Sequence, residues 1–241
     1  MNSSSGPPGA LIVCCTGELP YGESWTLQQE LREARERLAI PDLLLLVEHP
    51  PTYTLGRSST PEHLLLDRTR LEADHGIEVF DIERGGSATY HGPGQLVGYP
   101  IMDLRKRGRD VHEFIRLLEQ VLIGVLGEFG LKAGIRPGLT GVWIGDERKI
   151  ASIGIHVRHW ITMHGFALNA APDLSHFQWI QPCGLDLDVM TSMARELDDA
   201  PGMDELATVI VRHFEVTYQC ASSPIELRDL RQRCTTGTAA A

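Results

Sequence analysis

Twelve consecutive residues, Arg84-Gly85-Gly86-Ser87-Ala88-Thr89-Tyr90-His91-Gly92-Pro93-Gly94-Gln95, constrain this chain more than any other stretch. Four glycines and a proline stand between two apolar runs, residues 77–82 and 96–102, that read as buried strands. A flexible linker is not framed in this way. Glycine lets backbone approach a ligand without a Cβ in between, and Arg84, Thr89, Tyr90, His91 and Gln95 supply donors and acceptors around it. A long turn would also use Gly and Pro to reverse the chain. It would not need so many polar and aromatic side chains.

The apolar spacing elsewhere sets the fold class. Residues 11–15 and 43–47 read as strands, with a helix over 23–38 that Pro41 closes; Tyr53 and Leu55 continue an extended segment, and 61–74 are helical in part. Asp110 followed by Glu113 resembles a capping box, and the apolar stripe from Val111 through Phe114, Leu118, Val121, Leu122, Val125 and Phe129 predicts a helix ending at Gly130. Residues 141–144, 149–158 and 162–169 then form an antiparallel meander with turns at Gly145-Asp146 and near His159. A further helix covers 204–218. The mixture without strict alternation predicts a single α/β domain of the α+β or mixed-sheet kind, rather than a doubly wound parallel sheet. Catalytic residues are expected within 10–220. Residues 1–9 form a disordered tail, and the segment 221–241 is loose from about Thr235 onward.

Several function classes are excluded by composition. No apolar run approaches the roughly 20 residues of a membrane span, and no export signal is visible, so a cytoplasmic protein without membrane contact is expected. A net charge of -10 argues against nucleic acid as a partner. Arg105, Lys106, Arg107 and Arg109 are a local exception that an acidic protein partner could use, although a charge run after a strand is more often a solvated loop. Five cysteines, at 14, 15, 183, 220 and 234, make an odd set without metal-ligand spacing. Reduced thiols follow.

One thiol and one amine stand out. Cys183 alone lies between Pro182 and Gly184, where the backbone can turn and present a side chain; Cys14 and Cys15, inside a strand, read as small buried hydrophobes. Lys149 is one of only three lysines among 22 basic residues and heads an apolar strand. A surface lysine after a hairpin turn is the plain alternative. An ammonium beside a thiol stabilises the thiolate, and an amine in an apolar pocket can act as a base, so the pair has the makings of a nucleophile and its activator. The ten histidines show no metal spacing. His91 belongs with the glycine-rich stretch; His156 and His164, on neighbouring strands, read as hydrogen-bonded sheet residues.

Four blocks together carry a resemblance: Arg84-Gly85-Gly86 with Thr89-Tyr90-His91-Gly92-Pro93-Gly94-Gln95, then Arg148-Lys149-Ile150-Ala151-Ser152-Ile153-Gly154, His164-Gly165-Phe166-Ala167-Leu168-Asn169, and Pro182-Cys183-Gly184. In this order, over residues 40–200, the chain resembles the lipoyl(octanoyl) transferases of the biotin and lipoate protein ligase superfamily. Ser87 and Ala88 are small where many of those enzymes carry a larger pair. The resemblance implies a large mixed sheet and a smaller sheet flanked by helices. It implies Cys183 as an acyl-thioester nucleophile and Lys149 as the group that tunes it. Arg84, Gly85, Gly86, Ser87, Ala88, Thr89, Tyr90 and His91, with Ser152, Ile153, Gly154, Gly165, Phe166 and Ala167, would line the acyl site. No metal and no cofactor are implied. The donor would be octanoyl-acyl carrier protein, the acceptors lipoyl domains of 2-oxoacid dehydrogenases and the glycine-cleavage carrier protein, and the enzyme a monomer. Carriers of this kind are usually acidic, which would give the basic cluster a docking use. Two rivals stay open: an ATP-dependent lipoate ligase, which needs the lysine but no cysteine at 183, and an acyl-binding module without transfer.

Overall fold

A computed structural model describes residues 9–181 and 189–236. In chain order the elements are β1 (Gly9–Glu18), α1 (Tyr21–Glu36), β2 (Asp42–Glu48), β3 (Thr52–Leu55), α2 (Arg68–His75), β4 (Glu78–Asp81), β5 (Ala88–His91), β6 (Gln95–Ile101), α3 (Val111–Glu128), β7 (Ala133–Arg136), β8 (Leu139–Ile144), β9 (Arg148–Arg158), β10 (Ile161–Asn169), α4 (Met193–Glu196), α5 (Met203–Tyr218), β11 (Cys220–Pro224) and α6 (Leu227–Thr236). Eight strands build one mixed sheet in the order β11-β1-β2-β6-β10-β9-β8-β7, and three build a small sheet, β4-β3-β5.

Strand alternation explains the layers. Leu44 and Leu46 of β2 share a core with Leu11 and Val13 of β1 and with the buried stripes of α3 and α5. Leu43, Leu45 and Val47 point the other way, into a second core with Ile12, Cys14 and α1. A continuous apolar run therefore becomes a strand buried on both faces. Each such side chain contributes on the order of 2 kcal/mol of transfer free energy. A third core lies under the small sheet, around Tyr53, Tyr90, Phe177 and Ile180.

Local signals act where they stand in the sequence. Asp110 Oδ1 accepts from Glu113 N at 3.0 Å and caps α3. The β9–β10 hairpin turns through His159 and Trp160, both with positive φ, as a two-residue turn of the primed type requires. The predicted meander is present as β8, β9 and β10, antiparallel and adjacent.

Four expectations change. The run at 77–82 is not a buried strand: β4 is an edge strand with half-exposed or exposed residues, because only its flanks Ile77 and Ile82 reach the core. The glycine-rich stretch is not all loop, since residues 88–91 pair with β3 as β5. Cys15 is exposed while Cys14 is buried, as period-two alternation at the end of a strand dictates. Beyond residue 220, β11 pairs in parallel with β1, and α6 runs through Thr235 with its buried Leu230 and Cys234 in the second core. The boundaries proposed at 9 and 220 thus fall inside strands. Among the described residues no helix is long and apolar enough to cross a membrane.

Candidate active site

A cavity of about 410 Å³ opens between the large sheet and the small one. Its walls come from the stretches picked out in the sequence. Arg84, Gly85, Gly86, Ser87, Ala88, Thr89 and His91 form one side; Ser152, Ile153 and Gly154 of β9, and Gly165, Phe166 and Ala167 of β10, form the other; Lys149 lines it too. Gly85 N donates to Ile155 O at 3.0 Å, which lays the glycine-rich stretch across β9. Arg84 holds the stretch in shape. Its buried guanidinium donates to Gly85 O, Thr54 O and Ser87 O at 2.8, 3.0 and 2.7 Å.

Tyr90 does not line the cavity. It faces the third core, where its ring meets Tyr53 and Phe177 and its hydroxyl is 2.7 Å from His176 Nδ1. Its neighbours Thr89 and His91 take the cavity side by strand alternation.

Lys149 is placed by a defect in the sheet. Val142 pairs with Ala151 but Trp143 pairs with Lys149, so Ile150 is an extra residue on β9. Such a bulge re-aims the side chain beside it. Lys149 Nζ stands 5.5 Å from the centre of the Trp143 ring, within cation–π range. Gly141, at φ 127°, makes room: a Cβ there would lie 2.7 Å from Lys149 Cε and 2.6 Å from Ala151 O. Glu119, buried on α3, accepts from Gly141 N at 3.1 Å and keeps β8 at that distance. On the backbone side, Thr191 N donates to Lys149 O at 2.9 Å.

Cys183 lies outside the described residues. The chain before it is tied by Gln181 N to His63 O at 3.0 Å, and the chain after it by Thr191 to Lys149.

A buried cluster of histidines and tyrosines closes the cavity at the other end. His49 Nδ1–H donates to Leu19 O at 2.6 Å, and its Nε2 accepts from Tyr99 O–H at 2.7 Å. His91 stacks on Tyr21. His164 departs from expectation: it is buried with φ 56°, and neither ring nitrogen makes a hydrogen bond. Its Nε2 is 3.4 Å from Glu83 Oε1, an ion-pair distance without hydrogen-bond geometry. Burial lowers the pKa of His164, and Glu83 opposes that fall. Sequence reasoning did not select His164, Tyr21 or Tyr99 for this wall. His164 opens one of the four blocks, and Tyr99 shares a face of β6 with Val97, so both carried a usable signal. Tyr21 enters from α1 and carried none.

The histidine cluster makes the fold acid-sensitive. Burial lowers the pKa of His49 from 6.5 to about 4. Between those values the unfolded chain holds the proton and the folded chain does not, so stability is complete above pH 6.5 and falls as the pH drops toward 4. The loss from His49 alone is about 3 kcal/mol. Urea titrations at pH 7 and pH 4 should show it in the wild type and a smaller loss in His49→Gln; equal losses would exclude His49 as the source.

The basic cluster changes its meaning. Arg105 donates to both oxygens of the buried Asp103 at 2.8 Å, and Arg107 reaches Asp42 at 3.4 Å and covers the Tyr218 ring. Two of its four cations are therefore engaged in holding β2 and β6. It also sits by the β9–β10 hairpin, where Leu104 N donates to Trp160 O. The cluster ends at Arg109, two residues before Val111, which lines the same cavity as Lys149.

Among the described residues no group of three or more His, Cys, Asp or Glu side chains is arranged to hold a metal ion. The wall offers instead an amine, backbone amides and an apolar trough.

Residues 20–215 match the lipoyl protein ligase A/B catalytic domain. The chain is 50% identical over 204 residues to the octanoyltransferase of Solibacter usitatus, covering 83% of this chain and 91% of that one. It is 49% identical over 221 residues to the octanoyltransferase of Gloeobacter violaceus, covering 90% and 96%. Among solved structures it is similar in fold to lipoate-protein ligase A bound with ATP, with a TM-score of 0.72 at 18% identity over 95% of this chain and 93% of that one. It is also similar to a bipartite lipoate protein ligase of Thermoplasma acidophilum, with a TM-score of 0.71 at 19% identity over 95% and 91%.

Proposed function

The chain belongs to the lipoyl protein ligase A/B catalytic family and is an acyltransferase of the octanoyltransferase kind, and from that premise we propose that it moves an octanoyl or lipoyl group from acyl carrier protein to a lysine of a lipoyl domain through a thioester on Cys183. The observation that carries the reading is the position of Lys149, bulged out of β9 into the wall of an acyl-sized cavity. From Lys149 to Gly154 the strand runs five residues, roughly 16 Å at ~3.3 Å each. An extended eight-carbon chain, seven bonds of about 1.5 Å that each advance the zigzag by ~1.3 Å, needs roughly 9 Å. Glycine backbone and Phe166 flank that path.

In the first half-reaction the Cys183 sulfur attacks the donor carbonyl. A carbon–sulfur bond forms to Cys183 as the bond to the carrier sulfur breaks, and Lys149 takes the thiol proton and returns it to the leaving carrier thiol. In the second half, the acceptor lysine attacks the same carbonyl. An amide forms, the Cys183 sulfur leaves, and the proton lost by the amine returns to it through Lys149. Exchange of one thioester for another is nearly neutral, and thioester to amide is downhill, so no ATP enters. The acceptors are lipoyl domains of 2-oxoacid dehydrogenases and the glycine-cleavage carrier protein. The enzyme works as a monomer in the cytosol, with one catalytic domain.

Intact mass after mixing with octanoyl-acyl carrier protein tests this. A one-octanoyl adduct that neutral hydroxylamine removes, and that Cys183→Ala lacks, is expected. Product from octanoate and ATP without any carrier thioester would sink the proposal in favour of a ligase, and binding without an adduct would sink it in favour of an acyl-binding module.

A further inference from the structure

α3 carries a carboxylate in the middle of its apolar stripe. Glu119 is 1% exposed, between the buried Leu118 and Val121 and four residues past Ile115, which lines the cavity. Residues at that spacing share a helix face. A carboxylate drawn out of water is destabilising unless it is paired and hydrogen-bonded. Arg116, from the exposed side of the helix, donates to Oε2, and Oε1 accepts from the N–H of Gly141 at 3.1 Å. The second oxygen is thus given to one backbone amide.

That amide lies where the sheet is irregular on both sides. Between the pairs Gly134–Trp143 and Arg136–Leu139, β7 contributes Ile135 alone, whereas β8 contributes Thr140, Gly141 and Val142. On the other flank, β9 carries the extra Ile150 beside Lys149. Gly141 sits in this break with φ 127°, a conformation that residues with a Cβ rarely adopt. A Cβ on it would lie 2.7 Å from Lys149 Cε and 3.3 Å from Nζ, so the bare glycine is the floor on which the amine rests. Among the described residues no ladder pair on either flank includes Gly141. Glu119 is what fixes it.

We propose that Glu119 is a positioning residue of the transfer reaction: by holding the Gly141 N–H it fixes the backbone that seats Lys149, without itself lining the cavity. The inference rests on the reading of Lys149 as the group that carries the proton. Glu119→Met keeps the length of the side chain and removes the acceptor; Glu119→Gln keeps an acceptor oxygen and removes the charge.

In Glu119→Met, kcat for octanoyl transfer should fall by about a hundredfold, the cost of a small misplacement of a reacting group. The donor KM should change little. Glu119→Gln should recover most of that loss, because the amide keeps its oxygen. Acetylation by acetic anhydride reads the amine directly: labelling of the half-buried Lys149, referred to the exposed Lys132 in the same sample, should rise in Glu119→Met and stay near the wild-type ratio in Glu119→Gln. Glu119→Ala carries the expectations of the methionine variant where that variant does not fold. A wild-type kcat or labelling ratio in a folded variant without the acceptor would overturn the proposal, and so would an equal defect in Glu119→Gln. Loss of cooperative unfolding in both Glu119→Met and Glu119→Ala would overturn it too, leaving Glu119 a framework residue only. The underlying reading fails separately, with Glu119 intact, if Lys149→Ala transfers at the wild-type rate.

Discussion

Lys149→Ala should form octanoyl-enzyme about 10²–10⁴ times more slowly than the wild type in a single turnover, the range for loss of a positioned general base. Lys149→Arg should not restore the rate. A guanidinium keeps the positive charge but does not give up its proton, so the substitution separates the roles of cation and base. The fold should tolerate either change, since Lys149 is half-buried and covers Trp143 by a contact of about 0.5–2 kcal/mol. Rapid-quench mass spectrometry with octanoyl-acyl carrier protein reads the rate, and thermal unfolding reads the fold. A wild-type rate in Lys149→Arg would remove the base and leave only the charge. A wild-type rate in Lys149→Ala would remove Lys149 from the reaction.

The second large effect is on stability. Gly165 sits where β10 meets β6, and a Cβ there would lie 2.1 Å from Gly98 O and 2.6 Å from Pro100 Cδ. Neither neighbour has a flexible end that can withdraw, so the central strands must part. Gly165→Ala is expected to cost about 3 kcal/mol, at the upper end of overpacking in a close-packed core. The urea midpoint should fall without a change of slope. Gly127 is the matched control: it lies in α3, where an added Cβ would meet nothing within 4 Å, and Gly127→Ala should stabilise by about 0.5–1 kcal/mol through helix propensity. Equal effects of the two substitutions would show that the close approach of β10 to β6 does not set the cost.

Much of the secondary structure was legible because it depends on local periodicity. The α3 stripe with its Asp110 cap, the apolar run of β2 and the β8–β10 meander all appear where spacing placed them. What escaped depends on partners far along the chain. β11 is polar and short, and is a strand because β1 offers it an open edge. β7 exists through its pairing with β8. β4 looked buried from its apolar letters but became an edge strand, since among the described residues no strand pairs with its outer side.

The site divides in the same way. All but one of the residues named for acyl binding border a single cavity, and the exception, Tyr90, follows from a strand inside what read as loop. Tyr21 joins that wall from the start of α1, and Arg105 and Arg107, which read as a free cationic patch, are engaged with Asp103 and Asp42.

Residue types and their spacing determined the elements, the family resemblance and the identity of the groups able to do chemistry, because each of these is fixed within a few neighbours or one motif. Only the tertiary structure decided which of those groups share a wall, which charges are spent on each other, and that a single extra residue in β9 turns Lys149 into the cavity. Such choices depend on strand register and on close approach between segments distant in the chain, and no local pattern encodes the distance between them.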